Sequence, residues 1–238
     1  MIEKFSKEAD RLKIYQGVFD DYAFRTLITL ASKGYFNTLD YPISTGKEAD
    51  VYRATTREGD YRAIKIYRIE TSNFKKMYNY LAGDIRFSRV RKSKRSIINT
   101  WCQKEYRNLR DMYQAKIGVP KPYKFLNNVL VMEFIGRGGV PASLLVKQRP
   151  KNPKKLIMSL TKYIKDMYRK AGLVHGDLSE FNIMMLDDRP YLIDVSQALK
   201  TEHITAEALL KRDIQNIAKL ARKYGVEFDG EKVYDSLV

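Results

Sequence analysis

The sequence predicts an α+β protein with two lobes, the first mostly β-sheet and the second mostly α-helix. Short runs of β-prone residues separated by turn signals occupy much of the first half of the chain. Helical periodicity dominates the second half, and a glycine-rich stretch at 136–139 lies near the change. At 238 residues, the chain has room for two lobes of about 100 residues each, with a cleft between them. We therefore expect a helical extension at 1–37, a first lobe at 38–135 and a second lobe at 136–238.

The composition is that of an ordinary globular protein, without features of membrane insertion or secretion. Hydrophobic residues make up 44% of the chain, but no run of about 18 apolar residues is present, so we predict no membrane span. The N-terminal stretch lacks the apolar core of a secretory signal. The single cysteine, Cys102, cannot form an internal disulfide, which suits a reducing compartment. We expect a cytoplasmic protein.

The charge balance is strongly basic, with 44 Lys and Arg against 28 Asp and Glu. A field of this sign attracts polyanions such as RNA. Nine basic residues are concentrated in a tract at 68–96: Arg68, Lys75, Lys76, Arg86, Arg89, Arg91, Lys92, Lys94 and Arg95. Four aromatic residues of the tract could stack on bases: Phe74, Tyr78, Tyr80 and Phe87. We expect RNA or ribonucleoprotein contact here; a mobile basic loop is the alternative.

The first half of the chain predicts strands between helices. Its elements are a helix at 19–33, strands at 38–44, 50–54 and 61–67, a short helix at 73–81, and strands at 121–126 and 129–135. A long helix at 96–116 is expected to end at Gly118. Glu105 falls on the apolar stripe of this helix, where an acid is costly unless it is paired. Lys65, on the inner face of the third strand, is the predicted partner; the alternative is a surface lysine and an unrelated helix acid.

The second half predicts helices around a short β region. One helix covers 153–171 and ends at Gly172, and a last strong helix covers 206–223. Between them, two strands are joined by a turn at 187–190, and a short tail follows the last helix. The glycines at 136–139 do not have the spacing of a phosphate-binding loop, so we interpret that stretch as a flexible junction between lobes.

Three polar side chains among the short strands have the spacing of a phosphoryl-transfer site. The interval from Asp177 to Asn182 equals that of the kinase loop H-x-D-x-x-x-x-N, and Asp194 follows a strand. Asp177 is placed to orient an attacking hydroxyl, whereas Asn182 and Asp194 offer hard oxygen ligands for Mg²⁺. Ordinary turn and capping roles are the alternative for each residue alone. His175 is expected to be a packed ring rather than a zinc ligand.

The turn at 44–49 occupies the position of a phosphate-binding loop. It has a single glycine, so backbone contact with phosphates is expected to be supplemented by Ser44 and Lys47. It is not a Walker A motif.

Several motifs together resemble the RIO family of atypical serine/threonine protein kinases, in particular its first subfamily. They are S-T-G-K-E-A-x-V-Y, A-I-K-I-Y-R, H-G-D-L-S-E-F-N-I-M and Y-L-I-D-x-S-Q-A, and the resemblance covers about residues 17–225. It implies a two-lobed protein-kinase-like fold with an N-terminal helical extension and a truncated C-lobe. It also implies ATP as substrate, with Mg²⁺ or Mn²⁺, and a role in maturation of the small ribosomal subunit. The partner would then be the pre-ribosomal particle or its RNA.

The resemblance also implies roles for individual residues. Asp177 would be the catalytic base, Asn182 and Asp194 would bind Mg²⁺, and Asp194 would be a transient phosphoryl acceptor in an ATPase-like cycle. The ATP-binding residues would be Ser44 and Lys47 in the loop, Lys65 paired with Glu105, and Glu133 and Ile135 at adenine through backbone groups. Asp213 resembles the buried helix acid that steadies the catalytic loop.

The sequence departs from ordinary kinases at three points. Gly176 replaces the arginine of H-R-D, and Val195-Ser196 replaces Phe-Gly after Asp194. No A-P-E element follows, so the platform for extended peptides is expected to be missing. Two other functions stay open: a small-molecule phosphotransferase of the aminoglycoside type, which the basic charge disfavours, and an RNA- or ribosome-binding scaffold without catalysis.

Overall fold

The computed structural model describes residues 19–87 and 89–238, which form two compact units. Of the described residues, the first unit contains those up to Tyr106 together with Lys121–Phe134, and the second contains Arg107–Pro120 and Ile135–Val238. The helical extension predicted at 1–37 begins in residues that lie outside the described ones. Among the described residues, no helix is both long and apolar enough to cross a membrane.

The first unit is built on an antiparallel five-stranded sheet. Its strands are β1 (Thr38–Thr45), β2 (Ala49–Thr55), β3 (Tyr61–Tyr67), β4 (Pro122–Leu126) and β5 (Val129–Glu133), in the order β1-β2-β3-β5-β4. The predicted strands are confirmed, but β5 ends two residues before the predicted limit. Its helices are α1 (Asp21–Ser32), α2 (Phe74–Ala82) and most of α3 (Lys94–Gln114).

Helix α1 packs its apolar face on the sheet. It begins at the N-cap Asp20, whose carboxylate accepts a hydrogen bond from the Ala23 N–H at 2.7 Å. Leu27 and Leu30 of the helix are fully buried in one cluster with Ile64 and Val131 of the sheet. Burial of each such side chain contributes about 1.5–3 kcal/mol.

Helix α3 ends earlier than the sequence predicts. Lys116 adopts the left-handed φ of 62°, and the Ile117 N–H donates to the Met112 carbonyl at 3.1 Å, a Schellman-type end. Gly118 serves a different purpose in the second unit. A Cβ there would lie 2.4 Å from the Tyr163 hydroxyl and 2.5 Å from the Pro190 carbonyl oxygen. The glycine therefore permits close packing rather than ending the helix.

The second unit combines helices with several short strands. The helices are α4 (Pro153–Asp166), which continues as a π-turn at Met167–Ala171 before Gly172, then α5 (Ala206–Lys223) and α6 (Gly230–Asp235). A helix thus forms where a simple tail was predicted. The strands are β6 (Gly136–Arg137), β7 (Val140–Pro141), β8 (Ser143–Leu144), β9 (Leu173–Val174), β10 (Ile183–Leu186), β11 (Arg189–Leu192) and β12 (Leu199–Lys200).

Two tight hairpins in this unit have turns with positive φ. Gly138 and Gly139 join β6 to β7, so the stretch predicted to be a flexible junction is a β-hairpin. Asp187 and Asp188 join β10 to β11, where the sequence predicts a turn. Positive φ at both central residues is the mark of a type I′ turn, whose twist matches that of the flanking strands.

Candidate active site

The phosphate-binding lysine predicted in the first unit forms a buried ion pair. Lys65 Nζ on β3 lies 2.9 Å from Glu105 Oε1 on α3, and the residues are only 8% and 1% exposed. The other Glu105 oxygen accepts a hydrogen bond from the Tyr67 hydroxyl. Both carboxylate oxygens are therefore satisfied, which is what makes a buried charge tolerable. The pair holds the lysine in one position.

A second ion pair, between Asp50 and Arg68, holds the loop between β1 and β2. Asp50 accepts two hydrogen bonds from the Arg68 guanidinium, at 2.7 and 2.8 Å, and one from the Gly46 N–H at 3.3 Å. A Cβ at Gly46 would lie 3.2 Å from the Ala49 carbonyl oxygen, so the tight turn favours glycine. Sequence analysis missed this pairing. The available signal was an acid in β2 opposite an arginine that directly follows β3.

Ser44 and Lys47 are both exposed on this loop. The Lys47 backbone carbonyl accepts a hydrogen bond from the Thr71 hydroxyl, which ties the loop to the segment before α2. The role of the exposed Lys47 toward phosphate stays a prediction.

The two residues predicted at adenine fall at the boundary of the units. The Glu133 N–H donates to the Lys121 carbonyl at 2.8 Å, and its carboxylate accepts from the Lys121 N–H at 3.0 Å. In the second unit, the Ile135 carbonyl accepts from the Ala142 N–H at 2.9 Å. These bonds fix the backbone at both positions. Adenine contact stays a prediction.

The loop that carries Asp177 is fixed by a buried carboxylate. Asp213 of α5 is 1% exposed and accepts hydrogen bonds from Gly176 N–H at 2.8 Å and Leu178 N–H at 3.0 Å. Burial raises the pKa of Asp213 to about 6, and the two backbone donors oppose that shift. The expected role of Asp213 as the acid that steadies this loop therefore has a direct structural basis. Asp177, which lies between Gly176 and Leu178 in the sequence, is exposed.

Gly176 is required by the shape of this loop. Its φ is 77°, in the left-handed region, and a Cβ there would lie 3.2 Å from Leu209 Cδ1. A side chain would thus meet both backbone strain of about 1–2 kcal/mol and crowding against α5. This explains why the arginine of ordinary kinases has no place here.

Asn182 closes the same loop from its far end. Its side-chain oxygen accepts from the Ser179 N–H at 2.9 Å, and its amide nitrogen donates to the Asp177 carbonyl. The Asn182 carbonyl accepts from the Ile193 N–H at 2.9 Å, which brings the strand before Asp194 alongside. These hydrogen bonds thus bring Asp177 and Asn182 close to the segment that leads into Asp194.

Asp194 occupies a backbone position that few residues adopt. Its φ is 59°, a left-handed value that aspartate tolerates better than most non-glycine residues. One carboxylate oxygen accepts from the Ser196 hydroxyl at 3.2 Å, and the side chain is exposed. The segment after it is held by Asn108, whose amide nitrogen donates to the Val195 and Ala198 carbonyls at 2.8 and 3.1 Å.

Asn108 is a site-supporting residue that sequence analysis did not find. It is fully buried on α3, three residues after Glu105. A buried amide three residues beyond a buried acid is the signal that was available. Its two hydrogen bonds hold the turn that directly follows Asp194.

His175 is a packed ring, as predicted. It is 0% exposed, and its Nδ1 accepts from the Asp177 N–H at 3.3 Å. Burial lowers the pKa of His175 to about 4, against an opposing effect of the Asp194 carboxylate. The ring is therefore neutral near pH 7 and supports the loop rather than carrying a proton.

The oxygen donors in the second unit suit Mg²⁺. Asn182 offers an amide oxygen and Asp194 a carboxylate, both hard ligands, and Mg²⁺ in nucleotide sites is commonly held by one or two carboxylates plus substrate phosphates. Across the described residues, no group of three or more His, Cys, Asp or Glu side chains could hold a metal ion.

The basic tract at 68–96 is only partly available to a ligand. Phe87 is 6% exposed, and Tyr80 packs edge-on against Trp101 with centroids 6.0 Å apart. Arg86 is engaged by the buried Asp84 carboxylate at 2.6 Å. The prediction that all four aromatic rings could stack on bases is wrong for Phe87, because the ring fills the core beneath the loop.

A groove in the same tract remains open. It has a volume of about 620 Å³, and its lining includes the exposed Ile85, Arg89 and Arg91 together with Phe87 and Thr100. Three arginines therefore line this concave surface in the first unit, of which Arg86 is paired with Asp84 while Arg89 and Arg91 are exposed.

Known proteins resemble this chain over nearly its whole length. A family model for the RIO domain matches residues 50–233. The RIO-type serine/threonine-protein kinase Rio1 of Haloferax volcanii is 40% identical over 96% of this chain and 79% of its own length. Rio1 of Methanocaldococcus jannaschii is 39% identical over 98% of this chain and 80% of its own length. Human RIO1 is 36% identical over 94% of this chain, which spans 40% of that longer protein.

A solved structure shows the same fold. The Rio2 kinase of Chaetomium thermophilum, in its ADP/Mg²⁺-phosphoaspartate complex, gives a TM-score of 0.71 at 22% identity, covering 90% of this chain and 66% of that one. The sheet of the first unit and the helical second unit therefore have a protein-kinase-like fold, as the sequence predicts. The chain belongs to the RIO family of atypical serine/threonine protein kinases, and its relatives are those of the first subfamily, Rio1.

Proposed function

We propose that this chain transfers the γ-phosphoryl group of Mg-ATP, either to a serine or threonine hydroxyl or to water. The observation that carries the proposal is the exposed Asp177 carboxylate on a loop fixed by Asp213 at one end and Asn182 at the other. A loop braced in this way can hold a general base in one orientation, and positioning supplies much of the rate in phosphoryl transfer.

Each predicted residue has one task in this reaction. Lys65, held by Glu105, binds the α- and β-phosphates, and Ser44 and Lys47 contact the phosphates from the loop. Backbone groups of Glu133 and Ile135 bind adenine. Mg²⁺, or Mn²⁺, held by Asn182 and Asp194 would neutralise the phosphate charge.

Asp177 acts on the acceptor. It accepts a hydrogen bond from the acceptor hydroxyl and takes its proton as the oxygen attacks the γ-phosphorus. The new O–P bond forms as the bond from the γ-phosphorus to the bridging oxygen breaks, and ADP leaves. Losing a positioned base costs about 10²–10⁴-fold in rate.

A second route makes Asp194 the phosphoryl acceptor. The Rio2 kinase of Chaetomium thermophilum was solved with ADP, Mg²⁺ and a phosphoaspartate, which favours this route in a related protein. Here an Asp194 oxygen would attack the γ-phosphorus, ADP would leave, and water would then hydrolyse the acyl phosphate to release inorganic phosphate. The net reaction would be ATP hydrolysis.

Mass spectrometry after incubation with Mg-ATP separates the two routes. Phosphate on a serine or threonine supports the kinase route, and an acid-stable, hydroxylamine-sensitive aspartyl phosphate supports the second. Asp177→Ala should abolish the kinase product while the thermal unfolding midpoint is kept. Undiminished phosphorylation by Asp177→Ala would refute the role of this residue.

We also propose that the chain acts on the small ribosomal subunit in the cytoplasm and contacts its RNA through the groove at Ile85, Arg89 and Arg91. Two exposed arginines, Arg89 and Arg91, on a concave basic surface support this. The combined changes Arg89→Glu and Arg91→Glu should weaken binding to ribosomal RNA and reduce its salt dependence. Lys75→Glu and Lys76→Glu, on the exposed face of α2, provide the matched control. Equal affinities for the two double variants would count against the groove.

A further inference from the structure

The loop that carries Asp177 also presents a large aromatic ring to solvent. Phe181 is 67% exposed, whereas Leu178 and Ile183 on either side are fully buried. It lies four residues after Asp177, on the segment closed by Asn182. Single exposed apolar residues are common, so exposure alone decides nothing. The contacts and charges around the ring point to a binding role.

The backbone around Phe181 is pinned on both sides. The Glu180 carbonyl accepts from the Val146 N–H at 3.1 Å, and the Glu180 carboxylate pairs with Lys223 Nζ at 2.6 Å. On the other side, the Asn182 N–H donates to the Ser179 carbonyl at 3.2 Å. A ring on a backbone fixed in this way loses little freedom when a partner covers it, which favours binding.

A second apolar side chain lies next to this segment. Val146, whose N–H is bonded to Glu180, is 36% exposed. The exposed Phe181 and Val146, which lie on segments joined by a backbone hydrogen bond, make up a small apolar surface, and Phe181 is four residues from Asp177 in the sequence.

The charges around this surface are mainly positive. Lys147 and Arg149 are exposed on the segment that follows Val146, and Lys223 approaches from α5. Arg149 and Glu180 both lie close enough to affect the pKa of the Tyr224 phenol, which burial raises. Against these three cations stand two acids, Glu180, which is paired with Lys223, and the exposed Asp177, so the local balance stays positive. The field therefore favours an acidic ligand with an apolar side chain.

We propose that Phe181 and Val146 anchor the acceptor, and that the acceptor is an acidic protein segment with an apolar residue close to its phosphorylated serine or threonine. This rests on the proposed kinase function. A protein segment is favoured over single-stranded RNA because the aliphatic Val146 beside the ring suits an apolar side chain and offers no flat face on which a base could stack.

Two synthetic serine peptides test the proposal. They share one leucine, and one is rich in glutamate where the other has lysine. Wild type should phosphorylate the glutamate peptide with the lower KM, and Phe181→Ala should raise that KM by about tenfold. Ile204→Ala is the matched control, because Ile204 is 95% exposed and belongs to a different segment, the turn before α5. Thermal unfolding midpoints of both variants verify that they fold.

Three results would overturn the proposal: equal KM values for the two peptides, equal KM values for wild type and Phe181→Ala, or phosphorylation of neither peptide. Polyuridylate provides the test for RNA. If it inhibits wild type but not Phe181→Ala, and the peptide KM is the same for both proteins, the surface binds RNA and the proposal is overturned as well. Measuring ADP formation without peptide distinguishes failure of this proposal from failure of the proposed kinase function. If wild type forms ADP and Asp177→Ala does not, failure with the peptides leaves the proposed function standing.

Discussion

Lys65 Nζ lies 2.9 Å from Glu105 Oε1, with both side chains almost completely buried. Neither charge would be tolerated there alone, because an isolated buried charge is far less stable than a paired one. A single sequence feature, an acid on an apolar helix stripe, therefore predicts its partner on a strand forty residues earlier.

Glu105→Gln should weaken the use of ATP. The single carbonyl oxygen of glutamine cannot serve both Lys65 and the Tyr67 hydroxyl as the carboxylate does, so the lysine loses its fixed position. We expect kcat/KM for ATP to fall by about 10–100-fold and stability to fall by about 1–3 kcal/mol.

Glu207→Gln is the control for this change. Glu207 pairs with Lys211 at 2.8 Å on the surface of α5, where an exposed ion pair contributes little. Steady-state kinetics should be the same as for wild type. If Glu105→Gln behaves like this control, the buried pair has no role in ATP use.

Asn108→Ala should disturb Mg²⁺ use through Asp194. The change removes the donor from the Val195 and Ala198 carbonyls in a buried position, at a cost of about 1–3 kcal/mol. The freed turn would no longer aim Asp194, so the Mg²⁺ concentration that gives half-maximal activity should rise. Asn79→Ala, at an exposed position of α2, should leave the Mg²⁺ titration unchanged. Identical titrations for both variants would contradict the role of Asn108.

Asp213→Asn should slow turnover more than it weakens ATP binding. Asparagine keeps one acceptor oxygen but places an NH₂ group against a backbone N–H of Gly176 or Leu178. Displacing the Asp177 loop by about 1 Å can cost about 100-fold in kcat. A variant that alters KM for ATP but not kcat would show that Asp213 does not act through the catalytic loop.

Lys104 should make stability rise with pH. Its side chain is fully buried 4.0 Å from Asp84, and burial lowers its pKa to about 7. Between pH 7 and its ordinary value near 10.5, the unfolded chain binds a proton that the folded chain has released. Stability therefore rises with pH across that window, by up to about 1.4 kcal/mol per unit.

Urea unfolding of wild type and Lys104→Met at pH 7 and at about pH 9 measures this effect. The wild-type gain with pH should be absent in Lys104→Met and retained in Lys75→Met, since Lys75 is exposed. Equal gains in all three proteins would show that Lys104 stays charged in the folded state.

Periodicity and turn chemistry predict most of the helices and strands, because these elements depend mainly on residues that are close in the sequence. Strand β3 and helix α5 have the bounds that the pattern predicts. Local signals fail where a tertiary contact decides. Gly118 resembles a helix end but is needed for the approach of Tyr163, and Phe87 belongs to a basic tract but is buried.

The same distinction holds for the site. The spacing of Asp177 and Asn182 is a property of one short loop and is visible in the sequence. Asp213, Asn108 and the Asp50–Arg68 pair come from distant parts of the chain, and their roles depend on backbone groups that only the fold brings near. Asp213 could be found by resemblance to kinases, whereas Asn108 could not.

The most direct test of the central claim is the rate of ADP formation by the purified chain with Mg-ATP. Wild type should form ADP, chelation of Mg²⁺ with EDTA should stop it, and Asp177→Asn should lower the rate by about 10²–10⁴-fold at an unchanged unfolding midpoint. ADP formation that proceeds equally in Asp177→Asn would contradict the claim that this carboxylate drives phosphoryl transfer.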